Sequence, residues 1–276
     1  MNLDATKIAI RERSFGEIMD LALVVIRQRF GPLLVLLAVG AAPWALLNHF
    51  LTSRLILDSI GDEEAVYVFW RVLLVVLETP LATAPITLYL GQVTFGGRGD
   101  ARKIAGDFFR SLPQMIMLQG LARVLTAIPF VTLFMPYVMW PYLSELILLE
   151  RNPMFGGKTK DGRPRLNTRR RSKNLHRNSG GDLFSRWLLS AAAGVMLIVI
   201  GIVGVQALAR TLFAVDISII QTLLYVFPAI TWVVVGYFTV VRFLAYLDLR
   251  IRREGWEVEL ALRAQAARLA SVGAVA

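Results

Sequence analysis

The 276-residue chain has no cysteine, which removes disulfides, thiolate catalysis and cysteine-ligated metals from consideration. It has two histidines, His49 inside an apolar run and His176 in a basic loop, too few and too far apart in kind for a histidine-built centre within one subunit. Charge is also scarce: 18% of residues are charged, against roughly 25% in an ordinary soluble domain. No glycine-rich phosphate loop of the P-loop type is present, and Gly96-Gly97-Arg98-Gly99 reads as a turn. What the chain has in abundance is apolar surface, at 56% of residues with a mean hydropathy of +0.57.

That surface is gathered into runs long enough to cross a bilayer, which takes about 20 apolar residues at 1.5 Å each. The first run is Gly31 to about Leu51, the second about Tyr67 to Phe95, the fifth Trp187 to Ala209 and the sixth about Ile217 to Leu247. A third and a fourth share Gln114 to Glu150, a stretch short for two spans and broken by Pro129, Pro136 and Pro141. A re-entrant hairpin is the alternative there. The expected fold is therefore all-α: a polytopic membrane bundle of about six transmembrane helices over residues 1–250, with a short tail at 251–276.

The intervening loops differ in charge. Thr52–Glu64 has one Arg against Asp58, Asp62, Glu63 and Glu64, whereas Gly96–Pro113 has Arg98, Arg102, Lys103 and Arg110 against Asp100 and Asp107. Arg151–Arg186 is the extreme, with eleven Lys or Arg against two Asp, and the tail from Arg250 is Arg-rich again. Lys and Arg are retained on the cytoplasmic side, so six spans with both termini in the cytoplasm satisfy every loop. The implied location is a cytoplasmic (inner) membrane. The net charge of +10 is then an orientation and lipid-contact feature rather than a nucleic-acid footprint. Four acidic residues in the first 30 make a poor signal-peptide n-region, so the first run reads as an uncleaved anchor.

Two segments beside the spans are amphipathic. Ser14-Phe15-Gly16-Glu17 spells a capping box at the head of a helix running to Phe30. Asp100–Leu112 places Ala101, Ile104, Ala105, Phe108 and Leu112 at helical spacing. Both fit helices lying in the membrane interface, or equally helices packed on the cytoplasmic end of a bundle. Arg29-Phe30-Gly31-Pro32, Arg110-Ser111-Leu112-Pro113 and Ser185-Arg186-Trp187 hint at a surface helix plus membrane hairpin repeated three times.

The order of these motifs resembles bacterial membrane proteins of the glycerophosphodiester phosphodiesterase membrane-domain type. The resemblance rests on RERSFGEIMDLALVVIRQRFGPLL, PLATAPITLYLG at Pro80–Gly91 and DARKIAGDFFRSLPQMI. It rests also on Glu150 closing the fourth span and on RRRSKNLHRNSGGDLFSRWLLS at Arg169–Ser190, and it covers roughly Glu12 to Leu247. It implies a six-helix membrane module without the separate barrel domain that carries catalysis in the phosphodiesterase members. Asn152–Asn167 lengthens a connection that is usually shorter.

Ionisable groups at membrane depth are the candidate site. Glu78 and Arg123 both fall near the bilayer midplane, where an unpaired charge costs about 3 kcal/mol or more. They are expected either to pair as a lock between helices or, with Gln119 and Thr79, to line a polar pathway. Arg71 and Arg242 lie where they can snorkel, and Glu145 and Glu150 are expected to face water or head groups. Trp70, Trp140, Tyr142, Trp187 and Trp256 read as interface anchors. In the basic loop 152–178, Arg163, Arg165, Arg169, Arg170, Arg171, Lys173 and Arg177 are candidate contacts for anionic lipid. The loop's composition gives it no core, so it is expected to be mostly disordered. No aromatic residue interrupts Arg163–Arg177, so base stacking has no platform and nucleic acid is not an expected partner.

Together these features predict a non-enzymatic membrane module that scaffolds or assists partner proteins, with no cofactor and no metal. The alternative is a small transporter or permease with its site around Glu78 and Arg123. A lipid-modifying enzyme ranks below both.

Overall fold

Apolar runs fold as helices because a helix satisfies its own backbone N–H and C=O groups whatever surrounds it. The computed structural model describes residues 14–57, 64–94, 99–121, 141–151, 157–158, 164–165, 167–176 and 180–254. Apart from two residues of β1 (Gly157–Lys158) paired antiparallel with β2 (Pro164–Arg165), its regular elements are helical. Four helical stretches are long and apolar enough to cross a membrane: Phe30–Ser53, Glu64–Thr94, Gly181–Phe213 and Ile219–Arg252.

Helix α1 (Phe15–Gln28) begins at the capping box that the sequence spells. Glu17 N donates to Ser14 Oγ at 3.3 Å, and Ser14 N donates to Glu17 Oε2 at 2.9 Å. It buries Ile18 and Ala22, so the packing alternative holds for this face. After one non-helical residue, Arg29, α2 (Phe30–Leu57) runs through Pro43 without a break. The second expected span is two helices, α3 (Glu64–Ala82) and α4 (Ala84–Thr94), interrupted at Thr83. Pro85 has no N–H for the Leu81 carbonyl, which weakens the ladder at that turn. Gly40 of α2 lies directly on this bend, and a Cβ there would overlap the Ala82 carbonyl oxygen.

Helix α5 (Ala101–Met115) is N-capped by Asp100, whose carboxylate accepts from Arg102 N at 2.9 Å and Lys103 N at 3.4 Å. Of its apolar face Ile104 is buried, while Phe109 is among the most exposed side chains. It continues as a π-helical turn, Ile116–Leu121. Residues 122–140 lie outside the described residues, and with them Arg123 and the choice between two spans and a re-entrant hairpin. The chain resumes with α6 (Leu143–Glu145) and a second π-helical turn, Leu146–Glu150, which Arg151 ends with a φ of 50°.

The basic loop is not all irregular. Thr168–His176 forms helix α7, in which Leu175, Thr168 and Ser172 are buried. The expectation of disorder fails there for a local reason. Asn167 caps the helix, accepting from Arg170 N at 2.9 Å, and Leu175 supplies an apolar anchor that a composition average hides. Next come α8 (Gly180–Phe213), α9 (Ile219–Gln221), a third π-helical turn at Thr222–Val226, and α10 (Phe227–Glu254).

Helix α10 is the hub, touching α1, α2, α4 and α8. The main core gathers around it, toward the end where Glu150 and α7 lie, with Phe243, Tyr246, Leu146 and Met115 fully enclosed. By contrast α8 stands at the edge: 6% of its most apolar window is buried, against 50% for the stretch that contains α10.

Candidate functional site

Two polar clusters sit inside the bundle, one at each end. At the end away from α7, α3 carries Tyr67, Arg71 and Glu78 on one face, since offsets of four and eleven residues are close to whole turns. Helix α2 faces them with Asn48 and Thr52. Asn48 Nδ2 donates to Glu78 Oε2 at 2.7 Å, and Thr52 Oγ1 donates to the Asn48 carbonyl at 2.6 Å. The Tyr67 hydroxyl donates to the Leu223 carbonyl at 3.0 Å, fixing α3 to the π-helical turn before α10. Arg71 lies against the Tyr67 ring, its guanidinium carbon 5.8 Å from the centroid.

All five side chains are buried, Glu78 at 7% and Arg71 at 3% exposure. Arg71 therefore does not snorkel. The tyrosine ring and the bundle enclose it because it faces inward on α3, and depth along a helix does not specify that rotation. Among the described residues, Asn48 Oδ1 and one Arg71 terminal nitrogen, Nη1, have no hydrogen-bond partner.

The structure places Glu78 with Asn48, and two of the residues expected beside it bond elsewhere. Gln119 donates instead to Ser144 Oγ at 2.9 Å, and Thr79 donates to its own helix at the Val75 carbonyl. Arg123 lies outside the described residues. Asn48 was the signal missed: a carboxamide in an apolar run, one turn before Thr52.

At the other end, Glu145 and Glu150 are enclosed rather than facing water. Glu145 is fully buried and receives Arg242 Nε at 2.6 Å, so Arg242 does not snorkel either. Glu150 accepts from Arg171 Nε at 2.7 Å, from Arg171 Nη2 at 3.0 Å and from the Tyr246 hydroxyl at 2.9 Å, with Arg250 at 3.9 Å. Buried carboxylates are tolerated when charge-assisted bonds of this kind fill their lone pairs. Arg186 joins Asp182 at 3.0 Å and Asp248 at 3.4 Å, and Arg252 also reaches Asp248. Gln114 Nε2 donates to Thr168 Oγ1 at 2.7 Å, tying α5 to α7.

The two histidines stand in different clusters. His49 stacks on Tyr225, while His176 stacks on Tyr142 with centroids 5.7 Å apart and planes at 14°. Tyr142 is buried by that contact rather than anchored at an interface. His176 Nδ1 lies 2.7 Å from the Ser172 carbonyl, which makes it a protonated nitrogen donating to that oxygen. Burial lowers its pKa from the usual histidine value, and the bond to the Ser172 carbonyl opposes that shift.

Of the basic-loop candidates, Arg170 and Lys173 are exposed on α7, whereas Arg171 is committed to Glu150. The backbone of Arg165 lies in β2 and that of Arg169 in α7. Arg163 and Arg177, like Trp140 and Trp256, are outside the described residues. Among the described residues no group of three His, Asp or Glu could hold a metal. Comparison with protein-family models, with curated proteins and with solved structures gives no match.

Proposed function

We propose that this chain is a non-enzymatic module of a bacterial cytoplasmic membrane that binds partner proteins through its edge helix α8. The observation behind the reading is the 6% burial of that helix's most apolar window. A 34-residue helix that leaves most of its circumference open offers a long face to another protein's spans. Packing and close approach, rather than water exclusion, hold helices together in lipid. The ionic clusters fit the same reading, since paired charges such as Glu150 with Arg171 hold helices in place.

In this reading the chain crosses the membrane six times, with residues 114–150 supplying the third and fourth passes and both termini in the cytoplasm. The loop charges support that orientation. Arg170 and Lys173 then meet anionic head groups beside α7. The resemblance to the membrane domains of glycerophosphodiester phosphodiesterases supports a module of this size that works beside other domains or proteins.

Photocrosslinkers at Val195, Val199 and Val203 test the partner face, because all three are exposed and lie one turn apart on α8. The expected result is one discrete protein adduct common to the three positions, while Val39 and Leu46 of α2, whose apolar window is also open at 11% buried, show whether the contact is confined to α8. Adducts with lipid alone at all five positions would defeat the proposal.

A small transporter is the second reading, supported by the buried Glu78 beside the unpartnered atoms of Asn48 and Arg71. Thr79, Thr83 and Thr87 extend a buried polar stripe from Glu78 along α3 and α4. Ionisable groups held at such depth commonly mark solute or proton routes. Loss of a solute or proton flux in proteoliposomes on Glu78→Gln, with the fold unchanged, would favour it over the scaffold.

A further inference from the structure

A groove of about 660 Å³ opens between α1 and α2 on one side and α8 and α10 on the other. Its volume is in the range of sites that hold lipid- or drug-sized molecules, roughly 300–1,000 Å³. Along α10 it extends from Ile230 to Val240, about 15 Å at 1.5 Å per residue. The hydrocarbon core of a bilayer is about 30 Å thick, so the groove has the depth of one leaflet. Its lining is apolar almost throughout, and at its walls Gly201 of α8 packs against Ile230 and Gly236 of α10 against Leu37.

One end of the groove differs. There α1, the amphipathic helix beside the first span, contributes Asp20, the one Asp, Glu, Lys, Arg or His in the lining. Asp20 is exposed at the mouth, and the Tyr237 hydroxyl closes the floor beside it by donating to the Met19 carbonyl at 3.3 Å. Given the six-pass orientation, this mouth lies at the cytoplasmic head-group level.

We propose that the groove is a binding site for one phospholipid of the cytoplasmic leaflet that carries a primary-ammonium head group. An acyl chain fills the length from Tyr237 to Ile230, and the ammonium pairs with the Asp20 carboxylate. An apolar channel ending in a single carboxylate selects against lipids whose head groups carry net negative charge. The site needs the membrane orientation and is independent of whether the chain scaffolds or transports. Occupancy lays a lipid against α8 beside its packing on α10, next to the helix assigned to partner contact.

The test is native mass spectrometry of the delipidated full chain with phosphatidylethanolamine, phosphatidylcholine or phosphatidylglycerol added at equal concentration. One molecule of phosphatidylethanolamine is expected to stay bound at collision energies that strip the other two. Asp20→Asn, an exposed change that leaves the core untouched, should reduce that preference at least fivefold. Ala193→Trp should abolish retention of all three by filling the groove, and Leu46→Trp, exposed on α2 and outside the lining, should not. Equal retention of phosphatidylglycerol, or an unchanged preference in Asp20→Asn, would overturn the head-group assignment. Retention unaffected by Ala193→Trp would overturn the groove itself.

Discussion

Arg171 reaches Glu150 with two nitrogens, at 2.7 and 3.0 Å, and in doing so fastens a helix from the most basic loop of the chain onto the bundle. The same carboxylate accepts from Tyr246 of α10, so one residue joins α7 to the hub helix. Basic residues in this loop therefore divide into two kinds. Arg170 and Lys173 face solvent, and Arg171 is structural.

Breaking this junction should release α7. Arg171→Gln leaves the Glu150 carboxylate enclosed without its strongest partner, at a cost of about 2 kcal/mol for a charge-assisted bond pair of this exposure. Limited proteolysis in detergent should then cut within 168–176 at a protease concentration that spares the parent chain. Arg170→Gln, one residue away, should leave the pattern unchanged.

His176 gives the docked helix a pH dependence. Its folded-state pKa lies below the unfolded value of about 6.5, so the unfolded chain takes up a proton first as pH falls. The stabilisation is fully present above pH 6.5 and is lost as pH drops toward the folded value. The melting temperature should fall between pH 7 and pH 5.5, and His176→Phe, which keeps a ring against Tyr142, should remove most of that histidine's share. A melting temperature that rises over the same interval would contradict a neutral, buried His176.

Asn48 and Glu78 should behave as a unit. Asn48→Leu leaves the buried carboxylate without its 2.7 Å donor and should destabilise by about 1–3 kcal/mol. Combining it with Glu78→Leu should cost less than the two separate losses added together, because either change alone already removes the bond. Additive losses in this cycle would mean the two side chains do not interact.

Gly40 tests the crossing of α2 over the bend in the next span. Gly40→Ala drives a methyl into the Ala82 carbonyl and should cost about 1–3 kcal/mol, as overpacking does elsewhere. Gly204→Ala meets nothing within 4 Å and should be neutral or slightly stabilising, which makes it the control for helix propensity.

Much of this architecture is legible in the sequence because long apolar runs fold as helices that satisfy their own backbone groups. Four of the expected apolar runs become helices near their expected bounds, and Ser14 with Glu17 caps α1 as spelled. Rotation about each helix axis was not legible. Arg71, Glu145, Glu150 and Arg242 were expected to reach water or head groups from their positions along the chain, yet each faces inward and finds a partner or an aromatic ring. Asn48 escaped notice for a related reason: its partner lies 30 residues away across a helical hairpin, and periodicity within α2 cannot show it. The helix at 168–176 was hidden by averaging, since one capping Asn and one Leu outweigh the arginines around them.

The proposed orientation of the chain in the membrane can be measured one residue at a time, because the sequence has no cysteine. Single cysteines at Lys173 and Val215, both exposed, can be challenged in intact cells with a membrane-impermeant maleimide. Val215→Cys, in the turn after α8, should label from outside, and Lys173→Cys should label only after the cells are broken. Labelling of Lys173→Cys in intact cells, with Val215→Cys protected until lysis, would reverse the chain in the membrane and contradict the cytoplasmic assignment of the basic face.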